Sequence, residues 1–224
     1  MPQPIVPSSV LARIWMLYRS KAAVLLPAAV ILFAIQLVLQ LLISSAAVLL
    51  LIMFFSVLYQ GFVVEVVAQD RVGAQVSGQG DLLRAVAPAL GSLILISIVV
   101  AIGVVVGLFL IVIPGLVLFT LWAVAVPAEV IERRGVFASL GRSTELVRGN
   151  AWRVFGVIVG IYLTVVIIIF LVAILTSTLG VTTRDLVQWA VSVALMPLTA
   201  LSASVLYFEL IDAHAGPEVR AAAL

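Results

Sequence analysis

Four stretches of this chain contain no aspartate, glutamate, lysine or arginine: 22–64, 85–128, 154–183 and 186–208. A helix that crosses a bilayer needs about 20 mainly apolar residues, because the hydrocarbon core is roughly 30 Å thick and a helix rises about 1.5 Å per residue. The first two runs are each long enough to cross twice. Each is interrupted near its middle, one by Ser44-Ser45 and the other by Pro114-Gly115. Proline removes a backbone donor and glycine relaxes the chain, so both suit a tight turn. The last two runs, separated by Thr182-Thr183-Arg184-Asp185, fit one helix each. The expectation is an all-α polytopic membrane protein with six transmembrane helices, near 23–44, 46–67, 89–113, 115–131, 154–177 and 186–211.

Composition agrees. Hydrophobic residues make up 65% of the chain and charged residues 10%, against about 45–50% and 25% in soluble domains. Cysteine is absent, which removes disulfides, thiolate nucleophiles and cysteine metal ligands. The formal charge of +2 is too small to point to nucleic acid. The first apolar run is longer than the 7–15 residues of a secretory signal core, so a retained helix is expected there.

The cations set an orientation. Arg13, Arg19 and Lys21 precede the first helix, Arg71 and Arg84 lie between the second and third, and Arg133, Arg134, Arg142, Arg148 and Arg153 lie between the fourth and fifth. With Arg220 in the tail, eleven of the twelve basic residues fall on one side and only Arg184 on the other. Positive loops stay in the cytoplasm. Both termini are therefore expected inside the cell, in a multi-pass protein of the bacterial inner (plasma) membrane. Abundant alanine and a large excess of arginine over lysine suit a GC-rich bacterial genome.

Each helix pair is preceded by a short amphipathic stretch. Ser8–Lys21 places Val10, Ile14, Leu17 and Tyr18 at helical spacing. Asp81–Leu90 opens with an aspartate suited to an N-cap. Gly135–Asn150 sets Val136, Phe137, Leu140 and Val147 apart from Arg142, Glu145 and Arg148. Helices with one apolar and one basic face lie in the membrane interface. The expected plan is a single membrane domain of three hairpins, each preceded by a cytoplasmic interfacial helix. The units fall near 8–71, 79–134 and 135–213, with a flexible tail at 214–224. The tetrapeptide SVLY recurs at Ser56–Tyr59 and Ser204–Tyr207, without a constant spacing to the acid that follows.

The segment VIPGLVLFTLWAVAVPAEVIERRGVFASLGRSTELVRGNAWRVFG (Val112–Gly156), with IWMLYR near the start and PLTALSASVLYFEL near the end, resembles the membrane domain of the glycerophosphoryl diester phosphodiesterase family and related bacterial integral membrane proteins. The late motif departs from that family's pattern, with Ile211 where an arginine often stands. In fused family members the hydrolytic chemistry belongs to a separate soluble barrel, for which this chain has no room. The resemblance therefore implies a membrane module without the hydrolase activity.

The residues lead to the same expectation of no enzyme and no cofactor. The one histidine, His214, has only Asp212 and Glu209 nearby, short of the three or four converging ligands of a metal site. No serine has a partner base. GVVVG (Gly103–Gly107) and GVIVG (Gly156–Gly160) have the spacing of close helix packing rather than of a phosphate loop. Three sets of residues remain as candidates. Arg142, Arg148 and Arg153, with Trp152 as an interfacial anchor, could hold an anionic lipid headgroup. Glu65, Glu129 and Glu209 end the hairpins, either in ion pairs with nearby arginines or as a gate to a central cavity. Gln36 and Gln40, one turn apart, could form interhelical hydrogen bonds or line a polar path. The expected role is a non-catalytic module that scaffolds or assists an envelope or lipid-related process, with membrane lipids and a membrane protein as partners. The rival is a transporter of a small solute or lipid through a cavity between the hairpins.

Overall fold

The computed structural model describes residues 4–42, 47–74, 76–110 and 112–214; the side chains at 40–51, 53 and 108–113 also lie outside that description. The described elements are all helical: α1 (Pro7–Leu42), α2 (Ala47–Arg71), α3 (Gln79–Val86), α4 (Leu90–Leu110), α5 (Val112–Leu121), α6 (Ala125–Glu132), α7 (Val136–Val147), α8 (Ala151–Leu175) and α9 (Val181–His214). Among the described residues, five helical stretches are long and apolar enough to cross a membrane: 7–39, 79–107, 114–132, 151–175 and 181–214. The turn expected at Ser44-Ser45 lies outside the described residues.

The first amphipathic stretch is not a separate helix. It runs unbroken into the first long helix, and α1 spans 36 residues, about 54 Å of rise. No glycine or proline separates Arg19 from Leu26, so nothing there ends a helix. The expected face is nonetheless the one that packs, since Val10, Ile14 and Leu17 are buried.

The second stretch also departs from expectation. Gly78, not Asp81, is the N-cap of α3, and Asp81 sits in its first turn, where an acid still suits the helix dipole. A single 3-10 turn at Ala87–Ala89 joins α3 to α4, because Pro88 cannot donate the next helical hydrogen bond. Pro114 lies inside the first turn of α5 rather than in a loop, a position where its missing N–H costs nothing. A methyl group on Gly107 would lie 2.8 Å from the Gly115 Cα, so the two backbones touch as the chain folds back.

The expected fourth helix is broken, with a turn at Trp122–Val124 separating α5 from α6. At the far end Thr182-Thr183-Arg184-Asp185 is not a loop. It forms the first turns of α9, and the connection is the Thr176–Gly180 segment. His214 closes α9, and the rest of the expected tail lies outside the described residues.

Ion pairs fix how the long helices run. Arg13 meets Glu209 at 2.8 Å, Lys21 meets Asp70 at 2.6 Å, and Arg71 meets Asp212. The start of α1 thus sits beside the ends of α2 and α9, and α1 is antiparallel to both. Further along, Tyr59 donates to the Leu25 carbonyl at 3.2 Å and Tyr18 to the Ala194 carbonyl at 3.1 Å. Both acceptors are within three residues of a proline inside a helix, Pro27 and Pro197. Such prolines disturb the backbone ladder, and side chains on neighbouring helices supply donors there. Tyr59, Phe62, Leu25, Leu201, Leu206, Tyr207 and Leu210 form the buried seam of α1, α2 and α9. Val64, Val86, Leu93, Ile96 and Ala125 form a second seam joining α2, α3, α4 and α6. It closes around Gly61, where a methyl group would lie 2.6 Å from Val86.

Candidate functional site

Polar side chains concentrate at the end of the molecule where α6 turns into α7. Arg133 adopts a left-handed backbone (φ 50°) and Gly135 another (φ 85°), so the chain reverses within three residues. Glu129 sits beneath that corner, 3% exposed. Its Oε2 accepts the Gly135 N–H at 2.9 Å and the Ser139 hydroxyl at 2.7 Å. A carboxylate at the N-terminal end of α7 is a favourable use of the helix dipole. Ser143, fully buried one turn later, donates to the Leu121 carbonyl at 2.7 Å and accepts the Val124 N–H at 3.3 Å. Those are the backbone groups that the break at Trp122–Val124 would otherwise leave unpaired, so a serine on α7 holds the kink open.

Glu132 is the hub. Its side chain is 14% exposed and meets Arg142 Nε at 3.0 Å and Arg134 Nε at 2.8 Å. Tyr207, from the middle of the α9 seam, donates its hydroxyl to Glu132 at 3.0 Å. Arg142 also reaches Glu145 at 3.3 Å. Partial burial alone would lower the Arg142 pKa. The hydrogen bond and charge of Glu132, and then those of Glu145, outweigh it and raise the value above the ordinary arginine one. This network ties α6, α7 and α9 into one block.

The expected headgroup set therefore divides. Arg142 turns inward to Glu132, whereas Arg148, the C-cap of α7, and Arg153 are exposed. Arg153 donates to the Asn150 Oδ1 at 3.1 Å, and the same oxygen accepts the Ile5 N–H at 3.2 Å. Trp152 is 82% exposed and stacks on Phe155 at 5.4 Å. Phe137, expected on the apolar face of α7, points outward as well, while Ser139 and Ser143 take inward positions.

The three hairpin acids have three different surroundings. Glu209 pairs with Arg13, Glu129 caps α7, and Glu65 accepts from Gln69 at 3.4 Å. The three share no partner among the described residues. Gln36 has a buried Oε1 without a partner among the described residues, and the Gln40 side chain lies outside the description. Near the end of α9, Asp212 holds Arg71, Glu209 holds Arg13, and His214 Nδ1 lies 2.8 Å from the Leu210 carbonyl. Among the described residues no group of three histidines or acids is placed to hold a metal ion.

Of the two small-residue motifs, Gly103 and Gly107 face Trp122 and Gly115 so closely that no side chain would fit. Gly156 and Gly160 face open space among the described residues, so it is Val157 and Ile158 between them, both buried, that pack this part of α8.

Sequence reasoning passed over Glu132, Tyr207, Ser139 and Ser143. The signal available was the S-x-x-x-S spacing within ASLGRS, which puts two small hydroxyls on one face of α7.

Hollows lie at the charged end, where one of about 390 Å³ is lined by Pro88, Ser92, Glu129, Arg133 and Arg134, and elsewhere along the bundle. One of about 290 Å³ lies beside Trp152 and is lined by Leu116, Val117, Thr120, Ala151 and Phe155. Its walls are almost wholly apolar, since the Thr120 hydroxyl is spent on the Leu116 carbonyl at 2.8 Å. Deeper in the bundle, hollows of about 320 Å³ and 300 Å³ share Gln60 and Tyr162 as common walls.

Neither the known protein families, nor the curated proteins, nor the solved structures contain a match to this chain.

Proposed function

We propose that this chain is a non-catalytic membrane module that engages anionic lipid and scaffolds or assists an envelope or lipid-related process. Its six spans form three hairpins in a bacterial inner membrane, with both termini and the Glu132 block on the cytoplasmic side. The positive-inside distribution of arginines supports this orientation. So does the clustering of Arg13, Lys21, Arg71 and Arg142 with their acids at one end, while Arg184 and Asp185 pair with each other at the start of α9. The resemblance of Val112–Gly156 to a membrane domain associated with glycerophosphodiester hydrolysis supports the lipid setting and implies no hydrolase here.

The observation that carries the lipid reading is the corner at Trp152. An apolar hollow lies beside an exposed indole, and Arg148 and Arg153, both exposed, flank it in sequence. An acyl chain fits the walls, and cations at the interface attract an anionic headgroup by about 1 kcal/mol each. Mass spectrometry of the intact protein released from nanodiscs of mixed phosphatidylglycerol and phosphatidylcholine tests it. The wild type should retain phosphatidylglycerol preferentially. Arg148→Gln with Arg153→Gln should reduce that preference by about thirtyfold, from two such contacts. An unchanged preference would reject the reading.

A further inference from the structure

The two deeper hollows differ from the Trp152 corner in both depth and chemistry. Gln60 lies ten residues before Asp70 on α2, Tyr162 nine after Arg153 on α8, and Thr199 ten before Glu209 on α9. At about 1.5 Å per residue, all three sit roughly 15 Å from the charged end, which is half of a hydrocarbon core about 30 Å thick. Ser56 and Ser97 line the same space. A layer of neutral polar groups therefore stands at the middle of the bundle, without one charged side chain among the residues that line it.

Polar groups at such depth are satisfied within the protein or around a cavity that holds something for them. The Ser97 hydroxyl donates to Leu93 and that of Thr199 to Met196, each at 2.9 Å. The Gln60 amide and the Tyr162 hydroxyl have no hydrogen-bond partner among the described residues. Tyr162 is held in place by an edge-to-face contact with Phe119 at 5.6 Å. Two hollows therefore meet at one free amide and one free phenol. The surrounding walls are apolar, from Ile96, Val100 and Phe119 on one side to Val165 and Met196 on the other. Val105 and Tyr162, on α4 and α8, are exposed at the edge, so the space opens sideways where lipid chains lie.

We infer that this space is a lateral binding site for an uncharged, hydroxyl-bearing lipid of the diacylglycerol type. The amide can give and accept a hydrogen bond, as can the phenol, which matches a glycerol hydroxyl beside an ester carbonyl. A charged headgroup at this depth would have no counter-ion and is strongly disfavoured. The acyl chains follow the apolar walls out between α4 and α8. This inference rests on the spanning orientation proposed above but not on the Trp152 corner, so either site can fail alone.

Trp122 lines the larger hollow and provides the readout. In a variant with Trp15, Trp152 and Trp189 each replaced by phenylalanine, Trp122 is the only indole of the four in the chain. Reconstituted into phosphatidylcholine vesicles, its fluorescence should be quenched saturably by a few mole per cent of dibrominated diacylglycerol. The same mole fraction of dibrominated phosphatidylcholine should quench it much less. Gln60→Leu with Tyr162→Phe keeps the volume and removes both polar groups. It should raise the half-saturating fraction by about tenfold, the worth of two modest hydrogen bonds. Ala101→Phe should abolish the saturable phase by filling the space while leaving the polar pair intact. Equal quenching by the two lipids, or saturation unchanged by both variants, would overturn the inference.

Discussion

The charged end and the middle of this bundle handle polar groups in opposite ways. Around α6 and α7, Glu129, Glu132, Arg142, Ser139 and Ser143 are each bonded to at least one partner inside the protein. Halfway along the long helices, Gln60 and Tyr162 share a cavity and bond to nothing described. The end is built like the interior of a soluble protein, where a lost partner is expensive. The middle is built to be completed from outside. The same kind of substitution should therefore be severe at one level and mild at the other.

The largest expected effect is at the hub. Glu132→Ala leaves Arg142, Arg134 and the Tyr207 hydroxyl without their common acceptor, and losing a mostly buried charged acceptor costs about 2–3 kcal/mol. Reversible unfolding in mild detergent would measure it. Next comes Ser143→Ala, which strips the Leu121 carbonyl and Val124 N–H of their partner and should cost about 1–2 kcal/mol. If Ser143→Ala proved neutral, the break between α5 and α6 would not depend on α7.

Arg142→Lys retains the charge but loses the planar fork that spans Glu132 and Glu145, for about 1 kcal/mol. Its pH dependence sharpens the point. The Arg142 pKa is raised in the folded state, so its contribution is present below the ordinary arginine value and is lost only above it. The wild type should therefore show no loss from this group up to pH 10, whereas a lysine would begin to lose its share near its own value of about 10.4. The smallest effect belongs to the middle. Gln60→Leu should change stability by less than about 0.5 kcal/mol, because no bond within the protein is lost. A cost as large as that of Glu132→Ala would break the comparison between the two levels.

The long helices were legible because exclusion of charge from a stretch of about 20 residues is a strong local signal. Their joins were not. The kink at Trp122–Val124 follows a run with no proline or glycine after Gly115, and its stabiliser, Ser143, is nineteen residues away. No periodicity reports a hydrogen bond of that span. The continuity of α1 through Lys21 was hidden for a different reason: a change from amphipathic to uniformly apolar text reads as a boundary, although the backbone has no cause to break. At the site, cation type and position pointed to a basic face on α7. Which arginine turns inward was set by Glu132 on another helix. The repeated SVLY had meaning that spacing did not reveal, since Tyr59 and Tyr207 are, among the described residues, the two largest fully buried side chains and both bond across helices.

The arrangement of the whole chain in a bilayer can be tested directly because the protein contains no cysteine. Single cysteines at Gly78 and Ala138 mark the end that carries the Glu132 block, and one at Leu179 marks the opposite end. A membrane-impermeant maleimide applied to intact cells should label Leu179→Cys alone, with Gly78→Cys and Ala138→Cys reacting only after permeabilisation. Labelling of Ala138→Cys from outside, or of all three from the same side, would contradict a bundle that crosses the membrane with its cations facing the cytoplasm.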